Sequence, residues 1–303
     1  MRMLTIDEAS AGQRVDNFLL RVCKGVPKSH IYKAIRGGEV RVNKGRIQAD
    51  YRLASGDVIR VPPLRLPAPD ERHVPPGSFP VVFEDDAIVV IDKPAGVAVH
   101  GGSGVSFGVI EQMRAARPDA RFLELAHRLD RETSGLLIIA KQRKALVALH
   151  DMMRESVGRK LYQALVAGDW VNDRQHIRKP LLKWLTAQGE RRVRVDPEGK
   201  AAHTIINCLK RFGRYTLVEA ELRTGRTHQI RVHLASSGYP IVGDDKYGVD
   251  AVREQFVRMG FKRMFLHAAR LEIPHPLTGE ALIFQAPLPA ACVDILKVLE
   301  REK

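Results

Sequence analysis

Helical and strand patterns alternate along the chain, and the first of them form a small module. Apolar residues recur at i, i+3, i+4 and i+7 over residues 15–22, a spacing that predicts an amphipathic helix. A second helix should begin near Pro27 and stop at Gly37-Gly38. Short β-branched segments follow at 40–42 and 58–61, with a turn after the first. These patterns predict a compact α+β module within residues 1–62.

A larger region with the same mixture of elements starts at residue 81. Its strands are short and apolar, its helices carry an apolar stripe, and residues 170–200 form a polar, strand-rich excursion. We therefore predict an α+β fold for both regions. The expected strands are 81–83, 88–92, 122–126, 136–140, 159–166, 205–209, 216–222, 265–268 and 282–284, and the expected helices are 109–116, 145–153, 227–238 and 293–300.

A proline-rich segment separates the two regions. Seven prolines lie between residues 62 and 80. Each proline removes a backbone donor and disrupts both helix and sheet, so this stretch should be an extended, semi-rigid linker. The predicted organisation is a module at 1–62, a linker at 63–80 and a large domain at 81–303.

The charge of the chain is strongly positive and unevenly distributed. There are 49 Lys and Arg against 35 Asp and Glu, a net charge of +14. Residues 1–65 hold 13 of these cations and 6 of the acids, which is half of the net charge. Concentrated positive charge favours contact with a nucleic-acid backbone. The cations expected to make this contact are Lys28, Lys33, Arg36, Arg41, Lys44 and Arg46.

Cysteine usage and apolar runs exclude several classes of protein. Cys23, Cys208 and Cys292 are widely spread and lack metal-ligand spacing, which argues against a disulfide framework or a zinc site. Acidic residues at the N-terminus argue against a signal peptide, and no apolar run approaches the roughly 20 residues that span a bilayer. We expect a cytoplasmic protein with no membrane contact and no metal.

Residues 127–135, His-Arg-Leu-Asp-Arg-Glu-Thr-Ser-Gly, form a polar loop between two apolar segments. Asp130 is its only aspartate, and the flanking Arg128 and Arg131 would keep the carboxylate ionised and available as a nucleophile or base. The residues alone favour a simpler interpretation. Asp, Ser and Gly also build turns, with Gly135 supplying an unusual φ.

Three further segments carry candidate contacts to nucleic acid. Tyr162, in a basic strand, is placed to stack on a base, although the pattern alone favours a tyrosine packed in the core. The glycine-rich loop at 101–104 suits either phosphate or a plain connection. Thr227 is the expected N-cap of a helix, beside which Arg226 and His228 are placed to contact phosphate.

The polar loop at 127–135 closely resembles the characteristic loop of the RluA family of pseudouridine synthases. Residues 93–100, Lys-Pro-Ala-Gly-Val-Ala-Val-His, and residues 223–233, Arg-Thr-Gly-Arg-Thr-His-Gln-Ile-Arg-Val-His, match the same family in the same order. Residues 25–29 and 38–43 resemble the alpha-L RNA-binding domain named after ribosomal protein S-four. The resemblance runs from about Gly12 to about Pro289.

The resemblance implies an RNA-isomerising enzyme that needs no cofactor. It implies a catalytic domain with a mixed, mainly antiparallel sheet flanked by helices. Asp130 would be the essential carboxylate, paired with Arg231 by a double hydrogen bond. Tyr162 would stack on the extruded uracil, and Arg128 would hold the vacated position.

Within the family, the chain is most similar to the C branch, which modifies uridines of bacterial 23S ribosomal RNA. The expected partners are this RNA or precursor large-subunit particles, bound by a monomer. Three alternatives stay open: the D branch acting on other 23S sites, a non-catalytic ribosome-assembly factor, and a glycoside hydrolase that would use Asp130 with Glu132.

Overall fold

The computed structural model describes residues 1–8, 10–23, 25–64, 74–102, 105–187 and 189–301. The chain divides into two compact units, Met1–Val74 and Pro75–Lys303. Of the predicted linker at 63–80, residues 65–73 lie outside the described part, as do Ser103 and Gly104 of the glycine-rich loop. The domain limits drawn from the sequence therefore stay a prediction.

The first unit has two helices and a small antiparallel sheet. The predicted helices at 15–22 and near 28–36 are confirmed, and the sheet order is β1-β4-β2-β3. Strand β1 was not predicted, because three of its four residues are exposed and show no alternation. The elements are β1 (Arg2–Thr5), α1 (Val15–Val22), α2 (Lys28–Arg36), β2 (Arg41–Val42), β3 (Gly45–Arg46) and β4 (Val58–Val61).

The second unit is built on one large sheet. In the described residues its order is β10-β13-β14-β9-β15-β8-β6-β5, with β16 beside β15 and β7 beside β8. The elements are β5 (Val81–Glu84), β6 (Ile88–Lys93), α3 (Val109–Ala116), β7 (Glu124–Leu125), β8 (Ser134–Ala140), α4 (Arg143–Arg154), β9 (Arg159–Ala167), β10 (Arg174–Ile177), β11 (Leu181–Leu185), β12 (Arg191–Val195), β13 (Thr204–Arg211), β14 (Tyr215–Leu222), α5 (Gln229–Ala235), α6 (Asp250–Arg258), β15 (Leu266–Pro274), β16 (Ala281–Gln285) and α7 (Ala290–Arg301).

The sheet is mixed and mainly antiparallel, as expected. Its described strand pairs run antiparallel except β15 and β8, which pair in parallel. Strands β11 and β12 form a separate two-stranded hairpin. None of the helices in the described ranges is long and apolar enough to cross a membrane.

Strand β8 is buried on both faces of the sheet. All seven of its residues are buried. Leu137 and Ile139 pack into the core that contains the apolar stripe of α3, whereas Leu136 and Ile138 pack into the core that contains α4. A strand buried on both faces is a rigid support for the loop that enters it.

Two predicted elements differ from the structure. Only Glu124–Leu125 of the strand expected at 122–126 is extended and paired. The helix expected from an N-cap at Thr227 begins at Gln229 and ends at Ala235. Thr227 was wrong as the cap because His228 has a left-handed backbone (φ 52), which turns the chain sharply just before the helix. Helix α6 was not predicted, since Phe256 is its one buried residue.

Candidate active site

A cleft of about 500 Å³ lies beside the polar loop at 127–135. This volume falls within the range of about 300–1,000 Å³ that is usual for ligand pockets. The loop lies between β7 and β8, opposite the segment that leads into α5. The candidate site residues of this unit all line the cleft, namely Arg128, Asp130, Tyr162, Arg226, His228 and Arg231.

Asp130 and Arg231 meet in this cleft from distant parts of the sequence. The Nη1 of Arg231 donates a hydrogen bond to the Oδ2 of Asp130 at 3.1 Å, across 101 positions of the chain. The Arg231 side chain is 4% exposed, whereas that of Asp130 is 19% exposed. The carboxylate is thus oriented by a buried cation and still open to a ligand.

The double hydrogen bond of Arg231 goes to a different carboxylate from the one expected. Its Nε and Nη2 donate to the two oxygens of Asp244, each at 2.7 Å, and Nη2 also reaches Asp245 at 3.1 Å. The expected double hydrogen bond to Asp130 was therefore wrong, and Asp130 receives a single hydrogen bond from Arg231. The planar guanidinium satisfies Asp244 along one edge, which leaves one Nη1 proton directed at Asp130.

Burial and pairing have opposite effects on the pKa values of Arg231 and Asp244. Burial alone would raise the pKa of Asp244, but the hydrogen bonds and charge of Arg231 hold it below its ordinary value. Burial likewise opposes the charge of Arg231, and the hydrogen bonds and charges of Asp244 and Asp130 hold its pKa above the usual range. Both groups are therefore ionised. Asp244 was missed because nothing local links the acidic pair at 244–245 to an arginine thirteen residues earlier.

Lys93 explains how the segment at residues 93–100 contributes to the site. This lysine is fully buried, and its ammonium donates to the carbonyls of Pro94, Val97 and Arg131 at 2.7, 2.8 and 3.2 Å. The amide of Gly96 donates to the same Arg131 carbonyl at 2.8 Å. Burial lowers the pKa of Lys93 to about 7. The segment therefore holds the residue next to Asp130 in place.

Gly135 fixes the exit of the loop. Its φ is +107°, as the turn interpretation anticipated, and a Cβ there would lie 2.3 Å from the carbonyl oxygen of Ala268. The neighbouring Ser134 hydroxyl accepts from Arg263 at 2.6 Å and lies 2.9 Å from the Nδ1 of His267. Close backbone approach and buried polar contacts thus lock the end of the loop against β15.

Strand β9 presents Tyr162 and Lys160 to the cleft. Residues two apart on a strand share a face, and both side chains line the cavity. Burial and, to a smaller extent, the nearby charge of Asp130 raise the pKa of Tyr162, so its phenol stays neutral. Burial lowers the pKa of Lys160, whose ammonium has no hydrogen-bond or ion-pair partner in the part of the chain that the structure describes. Lys160 was not predicted as a cleft residue, although its position two residues before Tyr162 on the same strand could have indicated it.

His228 lies between Asp130 and Tyr247. Its Nε2 is 3.8 Å from the Oδ1 of Asp130, and its Nδ1 is 2.8 Å from the Tyr247 hydroxyl. That hydroxyl accepts from the Val193 amide at 2.9 Å, so its own proton is free to donate to Nδ1. When Tyr247 donates in this way, the imidazole proton lies on Nε2, facing Asp130. Burial lowers the pKa of His228, consistent with a neutral ring.

The charge of the cleft is predominantly positive. Among the residues described, Asp130 is the only carboxylate in its lining. Five cations line the same cavity, namely Arg128, Arg154, Lys160, Arg226 and Arg231. A lining of this kind attracts a polyanion and holds a single ionised carboxylate within it.

The cations predicted on the first unit lie on or near its surface. Lys28, Lys33 and Arg36 of α2 are exposed, as are Lys44 and Arg46. Arg41 is half-buried and donates to the carbonyls of Gly38 and Lys44. Among the described residues, no group of three His, Cys, Asp or Glu side chains is arranged to hold a metal ion.

Known proteins share both units of the chain. Residues 87–236 match the family model for RNA pseudouridylate synthase, and residues 13–59 match the S4 domain. The ribosomal large subunit pseudouridine synthase C of Pasteurella multocida (strain Pm70) is 49% identical over 312 residues, covering 100% of this chain and 95% of that protein. The synthase of the same name from Yersinia pestis is 52% identical over 295 residues, covering 95% and 92%.

The chain belongs to the RNA pseudouridylate synthase family. A solved structure of human RNA Pseudouridylate Synthase Domain Containing 4 is similar in fold, with a TM-score of 0.60 and 25% identity, and covers 73% of this chain and 93% of that one. The predicted family, its likeness to the C branch, the N-terminal S-four-like domain and the α+β fold are thereby confirmed. The chain is therefore an enzyme of this family, which excludes the non-catalytic assembly factor and the glycoside hydrolase.

Proposed function

We propose that this synthase converts specific uridines of 23S ribosomal RNA to pseudouridine, with Asp130 as the essential carboxylate. The contact that carries the proposal is the hydrogen bond from buried Arg231 to Asp130 inside a cationic cleft. The names of the relatives, which are large-subunit synthases, support ribosomal RNA as the substrate.

The reaction is an isomerisation that needs one well-placed carboxylate. The bond from ribose C1′ to uracil N1 breaks, the base turns, and a bond from C1′ to C5 forms. The C5 proton leaves and N1 gains a proton, so atoms balance without an oxidant or water. Asp130 would act on the sugar or the base, held by Arg231 in an orientation that a flexible lysine would not reproduce.

Access to the carboxylate requires the uridine to leave its stack. Asp130 lies inside a cleft and not on an open surface, so a base within a helix cannot reach it. Tyr162, at the wall of the cleft, would stack on the extruded uracil. Arg128 is exposed at the same cleft and would occupy the position that the base vacates.

The remaining cations would hold the RNA around the target. Arg226 and His228 at the cleft, and Lys28, Lys33, Arg36, Arg41, Lys44 and Arg46 on the S4 domain, would contact phosphates. The substrate would be the ribosomal RNA itself or a precursor particle. We expect a cytoplasmic monomer that acts without metal or cofactor.

The test is release of tritium from 23S ribosomal RNA labelled at uridine C5, because forming the carbon link expels that hydrogen. Wild type should release tritium, and Asp130→Asn should release none while keeping its fold and its RNA affinity. Asp119→Asn, at an exposed position outside the lining of the cleft, is the matched control and should behave as wild type. Absence of release by folded wild type, on naked RNA and on precursor particles, would overturn the proposal. Mapping the modified sites separates the C from the D branch.

A further inference from the structure

The hairpin β11–β12 presents an aromatic ring among arginines on one face. Trp184 is 39% exposed, in contrast to Trp170, which is fully buried. In the register of the hairpin, Trp184 lies directly opposite Arg192. Arg194 is two positions further along β12, so its side chain projects from the same face. This face combines one stacking surface with two guanidinium groups.

Both arginines form ion pairs with acidic residues that flank β12. Arg192 bonds Glu190 at 3.0 Å, and Arg194 bonds Asp196 at 2.9 Å. Both arginine side chains are partly exposed, and ion pairs in such places contribute only about 0–1 kcal/mol. A phosphate can therefore compete with these carboxylates for the guanidinium groups. Arginine commonly binds a phosphate through two parallel hydrogen bonds.

The hairpin is connected to the active site through Tyr247. The Val193 amide of β12 donates to the Tyr247 hydroxyl at 2.9 Å, and that hydroxyl lies 2.8 Å from His228, which faces Asp130. Arg192 also donates to the carbonyl of Lys246 at 2.9 Å. The hairpin thus contacts Lys246 and Tyr247, and Tyr247 in turn contacts His228 in the lining of the cleft, where RNA leading to the target would pass.

We propose that this face of the hairpin binds an unpaired nucleotide of the RNA substrate beside the target uridine. The base stacks on Trp184, and the adjoining phosphates meet Arg192 and Arg194. Aromatic stacking with flanking cations is the usual way in which proteins hold single-stranded RNA. The assignment rests on the proposed function, since the RNA in the cleft supplies the neighbouring nucleotide.

The first measurement uses tryptophan fluorescence. The chain has two tryptophans, and buried Trp170 is sequestered from ligand, so quenching by a stacked base reports on Trp184. Titration with single-stranded oligouridylate and with a 23S ribosomal RNA transcript should quench the wild-type signal. Trp184→Phe should retain only the unquenched emission of Trp170. Absence of quenching by either RNA would overturn the proposal.

The second measurement is tritium release by variants of the hairpin. Stacking on one aromatic residue contributes about 1–3 kcal/mol, so Trp184→Ala should raise KM by about 5- to 150-fold with kcat little changed. Trp184→Phe should stay close to wild type because it keeps a ring. Leu209→Ala, which alters an exposed apolar side chain of β13, is the control and should leave KM unchanged.

The outcomes distinguish this inference from the proposed function. An unchanged KM for Trp184→Ala, in a preparation whose wild type releases tritium, would overturn the hairpin contact alone. Quenching by RNA without any tritium release would overturn the isomerase proposal and keep the contact. A KM raised on precursor particles and unchanged on naked RNA would assign the hairpin to a ribosomal protein and also overturn the proposal.

Discussion

Arg231 gives its two-fold hydrogen bond to Asp244 and reaches Asp130 with a single hydrogen bond from Nη1. Asp244 therefore positions the arginine, and the arginine positions the proposed catalytic carboxylate. We expect Asp244→Asn to lower kcat by on the order of 100-fold, as small displacements of reacting groups do, with KM little changed. Single-turnover tritium release measures this. Asp245→Asn, which alters a half-exposed partner of Arg231, should cost far less.

Asp244 also predicts a pH dependence of stability. Its pKa is lowered in the folded protein, so its contribution is complete above the unfolded value of 3.8 and is lost as the pH falls below it. Wild type should therefore be more stable than Asp244→Asn near neutral pH, and the difference should shrink below about pH 4. Urea unfolding of the two proteins across this range measures the difference. A constant difference would contradict the assignment of a charged pair.

Lys93 should stabilise both the fold and the active-site loop. Lys93→Met leaves the carbonyls of Pro94, Val97 and Arg131 without this donor, and one hydrogen bond to a charged group contributes about 1.5–3 kcal/mol. We expect a loss of at least this size in the free energy of unfolding, together with a lower kcat. Lys141→Met, at the other end of β8, removes a half-exposed ion pair and should leave kcat unchanged.

Lys160 should bind a phosphate of the RNA in the cleft. Its half-buried ammonium has no partner among the described residues, so Lys160→Met should not lower stability. The variant should bind RNA more weakly, and the slope of log affinity against log salt should fall by about 1. Salt-dependent binding assays test this. Lys144→Met, which alters an exposed lysine outside the cleft, should leave binding as in wild type.

The S4 domain should contribute affinity and not chemistry. Replacing Lys28, Lys33 and Arg36 by Gln removes three exposed cations from α2 and should reduce the salt slope by about 2–3. The rate at saturating RNA should stay unchanged, because phosphate contacts position the substrate without acting on the base. A fall in kcat at saturation would assign these residues a further role.

Contiguous patterns in the sequence predicted most of the fold and much of the site. The helices at 15–22 and 109–116 follow from apolar spacing, and Asp130 and Arg231 from matched segments. The destination of the double hydrogen bond depends on how α5 packs against residues 244–245, which no local pattern encodes. The cap expected at Thr227 was wrong because His228 has a left-handed backbone just before α5, where its ring meets the Tyr247 hydroxyl, a contact that depends on tertiary structure.

The parallel pairing of β8 with β15 has a consequence for synthesis of the protein. The end of the loop at 127–135 pairs with His267 and Ala268, which the ribosome adds much later. Because domains fold as they emerge, the N-terminal unit can form early, whereas the site around Asp130 cannot close until β15 has left the exit tunnel. A nascent chain of this synthase would therefore bind RNA well before it could modify any.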